Sequence, residues 1–346
     1  MLTLEETLAD QENLTRLCDD KHLEPNEIFH INRYYGHGYV YKQYAGLPED
    51  YPLKIALTHG IDSYNIPCQK ELAGHLLDIY VYRNETQELY LNALKTLGVK
   101  TTVTLAASPY LYVIDLLKNQ PAPPRKGTLF FPSHSAGQYI VKADFDAIAN
   151  KLENLEDRYK PVTVCIFYRD FQRGHHKAFQ KRGLRIVSAG HGLDPNFLFR
   201  FFRLCSTHAY SAGMCFGTSL FYAVKAGCSH FHIDGLEYWW VHKTSKHLGK
   251  TNPPVTDHSL ALGSLFKTPG DTATAEQTAA VDHYLGAAHF KQPHELRLQL
   301  LEAEVPHGKS NCPHFLCPRC RATEQSHFCT LQRPWKRLKR LLKLAR

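Results

Sequence analysis

Between residues 128 and 234, short apolar runs alternate with segments of helical period, and this alternation constrains the fold more than any other feature. The run 161–170, PVTVCIFYRD, is continuously apolar until its last residues, which is typical of a strand buried on both faces of a parallel sheet. Strands that alternate with helices form βαβ units. We therefore predict a parallel sheet with a strand and its following loop at 128–135 and strands at 161–170, 184–192, 209–217 and 229–234.

The first half of the chain repeats this pattern more loosely, with a short predicted strand that ends in a His-Gly turn at 53–60 and further strands at 78–84 and 101–109. The window 120–127, QPAPPRKG, is rich in Pro and Gly and interrupts both periods, so we predict that it links two domains. A chain of 346 residues is long enough for two domains. The fold class is therefore α/β, with two Rossmann-like domains facing each other across a cleft, and the predicted segments are 1–122, 123–305 and a tail at 306–346.

Residue types also predict where helices begin and end. The segment 194–208 opens with Asp194 and Pro195, which we interpret as the N-cap and the first position of a helix. Gly98 and Gly183 each follow a helical segment and are predicted to end it.

Small, hydroxylated and histidine residues recur where each predicted strand of the second half ends. Ligands of open parallel sheets bind at the carboxyl ends of the strands, where such residues let backbone N–H groups approach a ligand. Gly and Ser occur in purely structural loops too, but their recurrence along one edge favours a ligand site. These residues are Ser133, His134, Ser135, Tyr168, Arg169, Asp170, Gly190, His191, Gly192, Gly217, Thr218 and Ser219.

The segment 213–228, GMCFGTSLFYAVKAGC, predicts a strand that turns sharply into a helix. Gly217 allows the turn, and Thr218 and Ser219 are predicted to cap the helix and to donate hydroxyls. Free amides and the positive end of the helix dipole suit a phosphate, although a capped core helix uses the same residues. Neither GxxxxGK[ST] nor GxGxxG is present here. Arg169 is a candidate partner for a diphosphate, and a surface salt bridge is its alternative.

The element order from 128 to 234, with FPSHS, VTVCIFYRD, AGHGLDPNFLFRFF and FGTSLFYAVKAGC, resembles the donor-binding domain of GT-B glycosyltransferases. More narrowly, it resembles bacterial proteins that assemble capsule or lipopolysaccharide sugars. The resemblance implies that a Gly/Ser/Thr-rich turn holds the phosphates of a nucleotide sugar. It implies no catalytic metal, because these enzymes stabilise the leaving diphosphate with helix ends and basic groups. The donor-binding residues that it implies are Ser133, His134, Ser135, His191, Gly217, Thr218 and Ser219.

The resemblance places the acceptor in the first half, where LTHGID puts His59 directly after a predicted strand and Asp62 close by. An inverting transfer needs a base that takes the proton of the acceptor hydroxyl, and a His held by a carboxylate suits that role. We predict His59 as the base and Asp62 as its orienting residue, and the alternative for His59 is a structural helix cap. The Tyr-rich segment 33–46, which includes His37, is predicted to pack in the core, with an acceptor loop as the alternative.

The sequence contains a candidate structural metal site, but no D-x-D motif follows a predicted strand. Asp144 and Asp146 fall at a predicted helix start, where acids are favoured anyway. The tail has a C-x2-C pair with the spacing of a zinc knuckle. A metal-free segment with free thiols, or a site completed by a histidine, is the alternative. The predicted zinc ligands are Cys312, Cys317, Cys320 and Cys329.

The net charge of +8 is concentrated at residues 333–346, RPWKRLKRLLKLAR, which hold seven Lys or Arg and no acid. Leu and Trp recur there at helical spacing, which predicts an amphipathic helix on an anionic membrane surface. A solvated basic end is the alternative. The rest of the chain is near neutral, which disfavours a nucleic-acid partner. An N-terminus without a secretory signal and the lack of a long apolar run predict a cytoplasmic protein, peripheral on the inner face of the membrane.

These features together predict a glycosyltransferase that moves a sugar from a nucleotide-sugar donor to a glycan or lipid-linked glycan in bacterial surface-polysaccharide biosynthesis. A nucleotide-sugar 2-epimerase of related fold is the first alternative, but it needs several acid/base carboxylates and few acids stand at the predicted strand ends. A non-catalytic protein that binds nucleotides or glycans is the second. No cofactor is expected for catalysis.

Overall fold

Two parallel sheets organise the described part of the chain, as the alternation of strands and helices predicts. The protein is described here by a computed structural model over residues 13–20, 27–61, 72, 77–121, 123–137, 139–242, 257–268 and 270–303. The sheet of the first half pairs three strands in chain order: β1 (Ile55–Leu57), β2 (Asp78–Val81) and β3 (Val103–Leu105).

The larger sheet lies in the second half and has five parallel strands in the order β7-β6-β4-β8-β9. This is the doubly wound order in which the chain runs outward from the centre on both sides. β5 and β10 pair with each other as a separate antiparallel ribbon, which the sequence did not predict. The bounds are β4 (Thr128–Phe131), β5 (Tyr139–Ala143), β6 (Val162–Cys165), β7 (Arg185–Val187), β8 (Tyr210–Gly213), β9 (Ser229–His232) and β10 (Tyr238–His242).

Helices connect the strands, and local signals fix several of their ends. Asp144 accepts a hydrogen bond from the Ala147 amide and caps the helix that follows β5. Gly98 ends a first-half helix with a φ of 69°. The helices are α1 (Leu14–Leu17), α2 (His37–Tyr44), α3 (Asn84–Leu97), α4 (Pro109–Leu117), α5 (Phe145–Glu153), α6 (Tyr168–Gln172), α7 (His176–Gln180), α8 (Phe197–Ser206), α9 (Thr218–Lys225), α10 (Asp257–Leu265), α11 (Ala275–Tyr284) and α12 (Pro293–Glu302), with 3₁₀ turns at His30–Gly36, Asp157–Tyr159 and Ala287–His289.

The predicted strand at 161–170 is shorter than expected. β6 ends at Cys165, and Tyr168, Arg169 and Asp170 open α6 instead of ending a strand. Apolar character continues to Phe167 because that ring packs at the edge of the core beyond the last paired residue. A continuous apolar run therefore marks burial here, and it does not mark where the strand ends.

The predicted start of the helix at 194–208 is also wrong. α8 begins at Phe197 with Asn196 at the N-cap position. The Asp194 carboxylate accepts a hydrogen bond from the Asn196 amide at 2.8 Å and pairs with Arg200, which is only 2% exposed. A buried guanidinium needs a charged partner, and this requirement decides where Asp194 lies.

One hydrophobic core extends across both halves of the chain. It includes Leu57 of β1, Phe131 of β4 and Tyr110 of α4. Tyr110 stacks on Tyr222 of α9 with ring centroids 4.1 Å apart. This shared core holds the carboxyl ends of the two sheets together. The domain boundaries at 1–122, 123–305 and 306–346 stay predictions, and residues 306–346 lie outside the described residues.

Candidate functional site

The carboxyl ends of β4 and β8 are neighbours, and the chain winds away from them toward opposite edges of the sheet. Doubly wound sheets bind ligands at this switch point. The predicted donor residues follow the two strands directly, with 133–135 after β4 and 217–219 after β8. Burial raises the pKa of the Cys215 thiol between them, and the nearby Tyr238 and Ser133 side chains offset part of that rise. Cys215 is therefore a neutral thiol, and it lies near Ser133 of the β4 loop.

Helix α9 begins at Thr218 with Gly217 at the N-cap, and no side chain caps its first turn. The prediction that Thr218 and Ser219 cap this helix is wrong, because they are the first two residues inside it. Thr218 Oγ1 instead accepts a hydrogen bond from the Ile61 amide at 3.0 Å. Ile61 lies just beyond β1, so this contact joins the two predicted binding regions. The uncapped amides and the positive end of the dipole favour an anion at this place.

His59 lies in the same loop after β1, two residues before Ile61, and is half-buried. Its ring centroid is 5.6 Å from that of Tyr34. Gly60 packs against the helix start, since a Cβ at this position would lie 3.5 Å from Thr218 Oγ1. The loop that carries the predicted base therefore reaches the N-terminus of α9. Asp62, the predicted orienting residue, lies outside the described residues.

Two buried polar side chains accompany His59. His37 is fully buried and Thr58 is 4% exposed. Among the residues that the structure describes, no partner within hydrogen-bonding geometry is found for the His37 nitrogens or the Thr58 hydroxyl, and the His37 ring lies near the Thr58 backbone. Burial, with a smaller contribution from His59, lowers the pKa of His37 to about 3. His37 is therefore neutral at physiological pH and places no positive charge beside the predicted base.

A series of aromatic contacts connects the β1 loop to the β4 loop. Tyr35 is central to it, with a left-handed φ of 58° and an amide that donates to the Gly192 carbonyl at 2.7 Å. The prediction that segment 33–46 packs in the core is therefore incomplete, because Tyr34 and Tyr35 lie where the two halves of the chain meet. The series runs through His59, Tyr34, Tyr35, Phe167 and His134, with successive ring centroids 4.5 to 6.4 Å apart.

Ser135, a predicted donor residue, uses its polar atoms within the protein. It is fully buried, and its hydroxyl donates to Asp170 Oδ1 at 2.6 Å while its amide donates to Oδ2 at 2.9 Å. The same hydroxyl accepts the Val141 amide at 3.0 Å. Burial alone would raise the pKa of Asp170, but hydrogen bonds from His175 and Ser135 outweigh it and hold that pKa below its ordinary value. Ser135 therefore shapes the β4 loop, whereas the neighbouring His134 is exposed.

Arg169 and His191 both contact the Tyr168 ring. The Arg169 guanidinium carbon is 5.0 Å from the centroid of that ring, and the His191 ring is 3.9 Å from it. His191 Nδ1 accepts the Leu193 amide at 3.1 Å, and its Nε2 lies 3.3 Å from Asp20 Oδ1. Both ring nitrogens of His191 are therefore engaged by the protein, with the proton assigned to Nε2.

The predicted tail features lie outside the described residues, both the zinc ligands Cys312, Cys317, Cys320 and Cys329 and the basic segment 333–346. Among the residues that the structure describes, no group of three or more His, Cys, Asp or Glu is arranged to hold a metal ion. Over the same residues, no helix has both the length and the apolar character needed to cross a membrane.

Comparison with known proteins adds little to this geometry. No protein-family model matches the chain, and no curated protein matches it. Among solved structures, the chain is similar to the UDP-GlcNAc 2-epimerase of Neisseria meningitidis bound to UDP-GlcNAc, with 9% identity and a TM-score of 0.32 over 82% of this chain and 83% of that one. A score this low carries no inference about the chain, so the function proposed below rests on its own residues.

Proposed function

We propose that this chain is a nucleotide-sugar-dependent glycosyltransferase with a GT-B-type arrangement of its two halves. The observation that carries the proposal is the hydrogen bond from Ile61 to Thr218, which brings the loop of His59 to the uncapped start of α9. A sugar transfer needs a base for the incoming hydroxyl and an anion-stabilising group for the leaving diphosphate. The two halves of the chain supply one of these groups each.

In the proposed reaction, His59 takes the proton of an acceptor hydroxyl as its oxygen attacks the anomeric carbon of the donor sugar. The bond between that carbon and the diphosphate oxygen breaks, and its electron pair leaves with the diphosphate. The amides and dipole of α9 stabilise the charge that develops there. Arg169, which lies over Tyr168, is the proposed additional cation. This charge stabilisation makes the proposed step metal-independent.

The proposal also includes the acceptor and the location of the protein in the cell. A glycan or lipid-linked glycan of bacterial surface-polysaccharide assembly is the proposed acceptor. The basic segment 333–346 is the proposed contact with an anionic membrane surface, since it combines seven cations with a Trp and several Leu. The tail cysteines are the proposed ligands of a structural zinc ion.

Two of the described acids that follow strands of the larger sheet, Asp170 and Asp194, are held within the protein, which favours transfer over 2-epimerisation. An epimerase needs acid/base carboxylates that are available to the sugar. Asp170 is held by Ser135 and His175, and Asp194 is held by Arg200. These two carboxylates therefore serve the protein itself, and His59 is the better-placed group for proton transfer.

A product assay with UDP-, GDP-, CMP- and TDP-sugars, run with and without acceptor glycans, tests the proposal. We expect nucleotide release that depends on acceptor, and a loss of about 100- to 10,000-fold in turnover in His59→Ala with nucleotide affinity retained. His294→Ala, which changes an exposed His on α12, is the matched control. An epimer formed without acceptor contradicts transfer, and nucleotide binding without any turnover indicates a non-catalytic binding protein.

A further inference from the structure

Strand β7 lies at the edge of the larger sheet, and among the described strands it pairs with β6 alone. The Val187 carbonyl accepts the Ile166 amide at 2.9 Å, so the polar backbone groups of Val187 face β6. These groups alternate in direction from one strand residue to the next. The N–H and C=O of Ile186 therefore face away from β6, and neither group bonds to a described residue.

A cavity of about 580 Å³ lies along this edge and is lined by Leu184, Arg185 and Ile186. Successive residues of a strand point to opposite faces, so contact with all three places the cavity beside the strand instead of over one face. Its volume falls within the range of about 300–1,000 Å³ that ligand pockets have. The other walls come from the start of α1 and from the α6–α7 segment, through Asn13, Leu14, Thr15, Phe171, His176 and Gln180.

The walls of the cavity combine apolar surface with neutral hydrogen-bonding groups. His176 Nδ1 is buried without a partner in hydrogen-bonding geometry, and the Phe171 backbone lies near its ring. The Gln180 amide and the Thr15 hydroxyl bond to no described residue. Together with the outward backbone groups of Ile186, these donors and acceptors match a ligand that carries amides of its own. An extended peptide is such a ligand, because it pairs its main chain with an open strand edge.

The surroundings of the cavity are basic. Residues 173–185, RGHHKAFQKRGLR, hold five Lys or Arg and no acid. Lys177 and Lys181 directly follow the two α7 residues that line the cavity, and both are exposed and form no ion pair with a described residue. Arg185 adds a cation to the wall itself, and none of the described lining residues is an acid. This charge attracts an acidic segment and disfavours pairing with the same edge of a second copy.

We propose that the cavity at β7 binds an acidic segment of a partner protein, which adds to the edge of the sheet as an extended strand and bonds to the backbone of Ile186. Main-chain hydrogen bonds supply the affinity, the cavity receives alternate side chains, and the basic surroundings select acids. β7 has three residues, so the added strand makes few hydrogen bonds and the contact is reversible. This interaction goes beyond the proposed sugar transfer and does not depend on it.

Fluorescence anisotropy with the full chain and a labelled hexapeptide of alternating Glu and Val tests the inference. We expect the peptide to bind, and its affinity to fall by about tenfold or more when Gln or Lys replaces every Glu. Two further peptides carry N-methyl groups on one or the other set of alternate amides. Only one set faces β7, so one of these peptides should lose its affinity and the other should retain it. The Ile186 amide should become protected from hydrogen exchange when the unmodified peptide binds.

Variants of the chain test the same surface from the other side. Lys177→Glu combined with Lys181→Glu should weaken the acidic peptide by about tenfold or more and should favour the Lys peptide. Lys95→Glu combined with Lys100→Glu changes two exposed residues of the first half by the same net charge and is the matched control. Ile186→Pro removes the outward amide, which an edge strand tolerates, and should weaken the acidic peptide. If Ile186→Pro does not fold, the N-methylated peptides decide the question.

Four outcomes overturn the inference. The acidic peptide does not bind, or it binds no better than the Gln and Lys peptides. Both N-methylated peptides keep the full affinity, which excludes strand addition. The wild type forms a dimer that Ile186→Pro dissociates, which assigns the edge to a second copy. The peptide binds only after residues 1–12, which hold four acids and no base, are removed, which assigns the cavity to that segment of the chain.

Discussion

The buried carboxylate of Asp170 holds the loop that carries Ser133 and His134. It accepts two hydrogen bonds from Ser135 and lies 3.1 Å from His175 Nδ1. These bonds keep the pKa of Asp170 low even though burial acts in the opposite direction. The ionised form of one side chain therefore fixes the shape of a predicted donor loop.

This role predicts that Asp170→Asn lowers the free energy of unfolding at neutral pH by roughly 1.5–3 kcal/mol, the range for hydrogen bonds to charged groups. Because the pKa of Asp170 is lower in the folded state, its stabilisation is complete above the unfolded value of about 3.9 and is lost as the pH falls through the folded value. Urea unfolding of both proteins between neutral and acidic pH measures this difference. A difference that grows as the pH falls would contradict the assignment.

Single residues also show where sequence reasoning succeeds and where it stops. The position of His59 directly after a strand follows from a local pattern, and the structure places it there. The partner of Thr218 is Ile61, 157 residues away, and no local pattern identifies it. Asp194 has all the local marks of a helix cap, but Arg200 is buried beside it and takes the carboxylate. Long-range pairing decides such cases, and one sequence does not reveal it.

At the scale of elements, Arg125 joins the connection between the sheets to the ends of two helices. Its guanidinium donates to the carbonyls of Cys205 and His208 at 3.3 and 3.2 Å, at the end of α8, and to that of Ala226 at 2.5 Å, just after α9. Helix carboxyl ends carry unsatisfied carbonyls and partial negative charge, so a cation is favoured there. Arg125 thus anchors the predicted linker 120–127, together with the Lys126 amide, which donates to the Thr207 carbonyl at 3.1 Å.

Arg125→Ala should destabilise the protein by roughly 1–3 kcal/mol, because several carbonyls lose a charged donor. Arg125→Lys keeps the charge but not the fork of donors, so it should recover part of this loss. Lys126→Ala, at the neighbouring exposed position, is the control. Denaturant unfolding measures all three variants, and equal stabilities for Arg125→Ala and Lys126→Ala would show that this anchor is not needed.

The elements of the second sheet were largely predictable because each strand is a short apolar run between helical segments. All five predicted strands are present, although the structure shortens them. The ribbon was not predictable in this way. β5 and β10 pair although the chain forms β6, β7, β8 and β9 between them. Their pairing therefore depends on the completed sheet. The Tyr and Trp in β10 were visible in the sequence, and YWWVH is the signal that could have indicated a strand.

At the scale of the whole molecule, the two halves share one core instead of meeting only through a ligand. Tyr110 and Tyr222 stack across the junction, and the Ser108 amide donates to the Leu285 carbonyl at 2.9 Å. α12 contacts the first half through Arg297, which donates to the Ala45 carbonyl. The position of His59 relative to α9 is therefore fixed by packing as well as by the single bond to Thr218.

A shared core predicts that the protein unfolds in one calorimetric transition. Tyr222→Ala should lower the temperature of that transition by removing about 3–5 kcal/mol of packing, as is usual for a buried large ring. Leu91→Ala, which changes an exposed side chain, should leave it unchanged. Two separate transitions, with only one shifted by Tyr222→Ala, would show that the halves fold independently.

The central claim is that α9 receives the diphosphate of a nucleotide sugar, and Ser219→Asp tests it by calorimetry with UDP, GDP, CMP and TDP. An acid in the first turn of a helix adds about 0.3–1 kcal/mol of stability through the dipole, so the variant should fold at least as well as the wild type. Its negative charge should nevertheless weaken the preferred nucleotide by about tenfold or more, which is about 1.4 kcal/mol. The neutral control Ser219→Asn should retain the wild-type affinity. Equal affinities for wild type and Ser219→Asp, or binding of none of the four nucleotides to the wild type, would contradict the account.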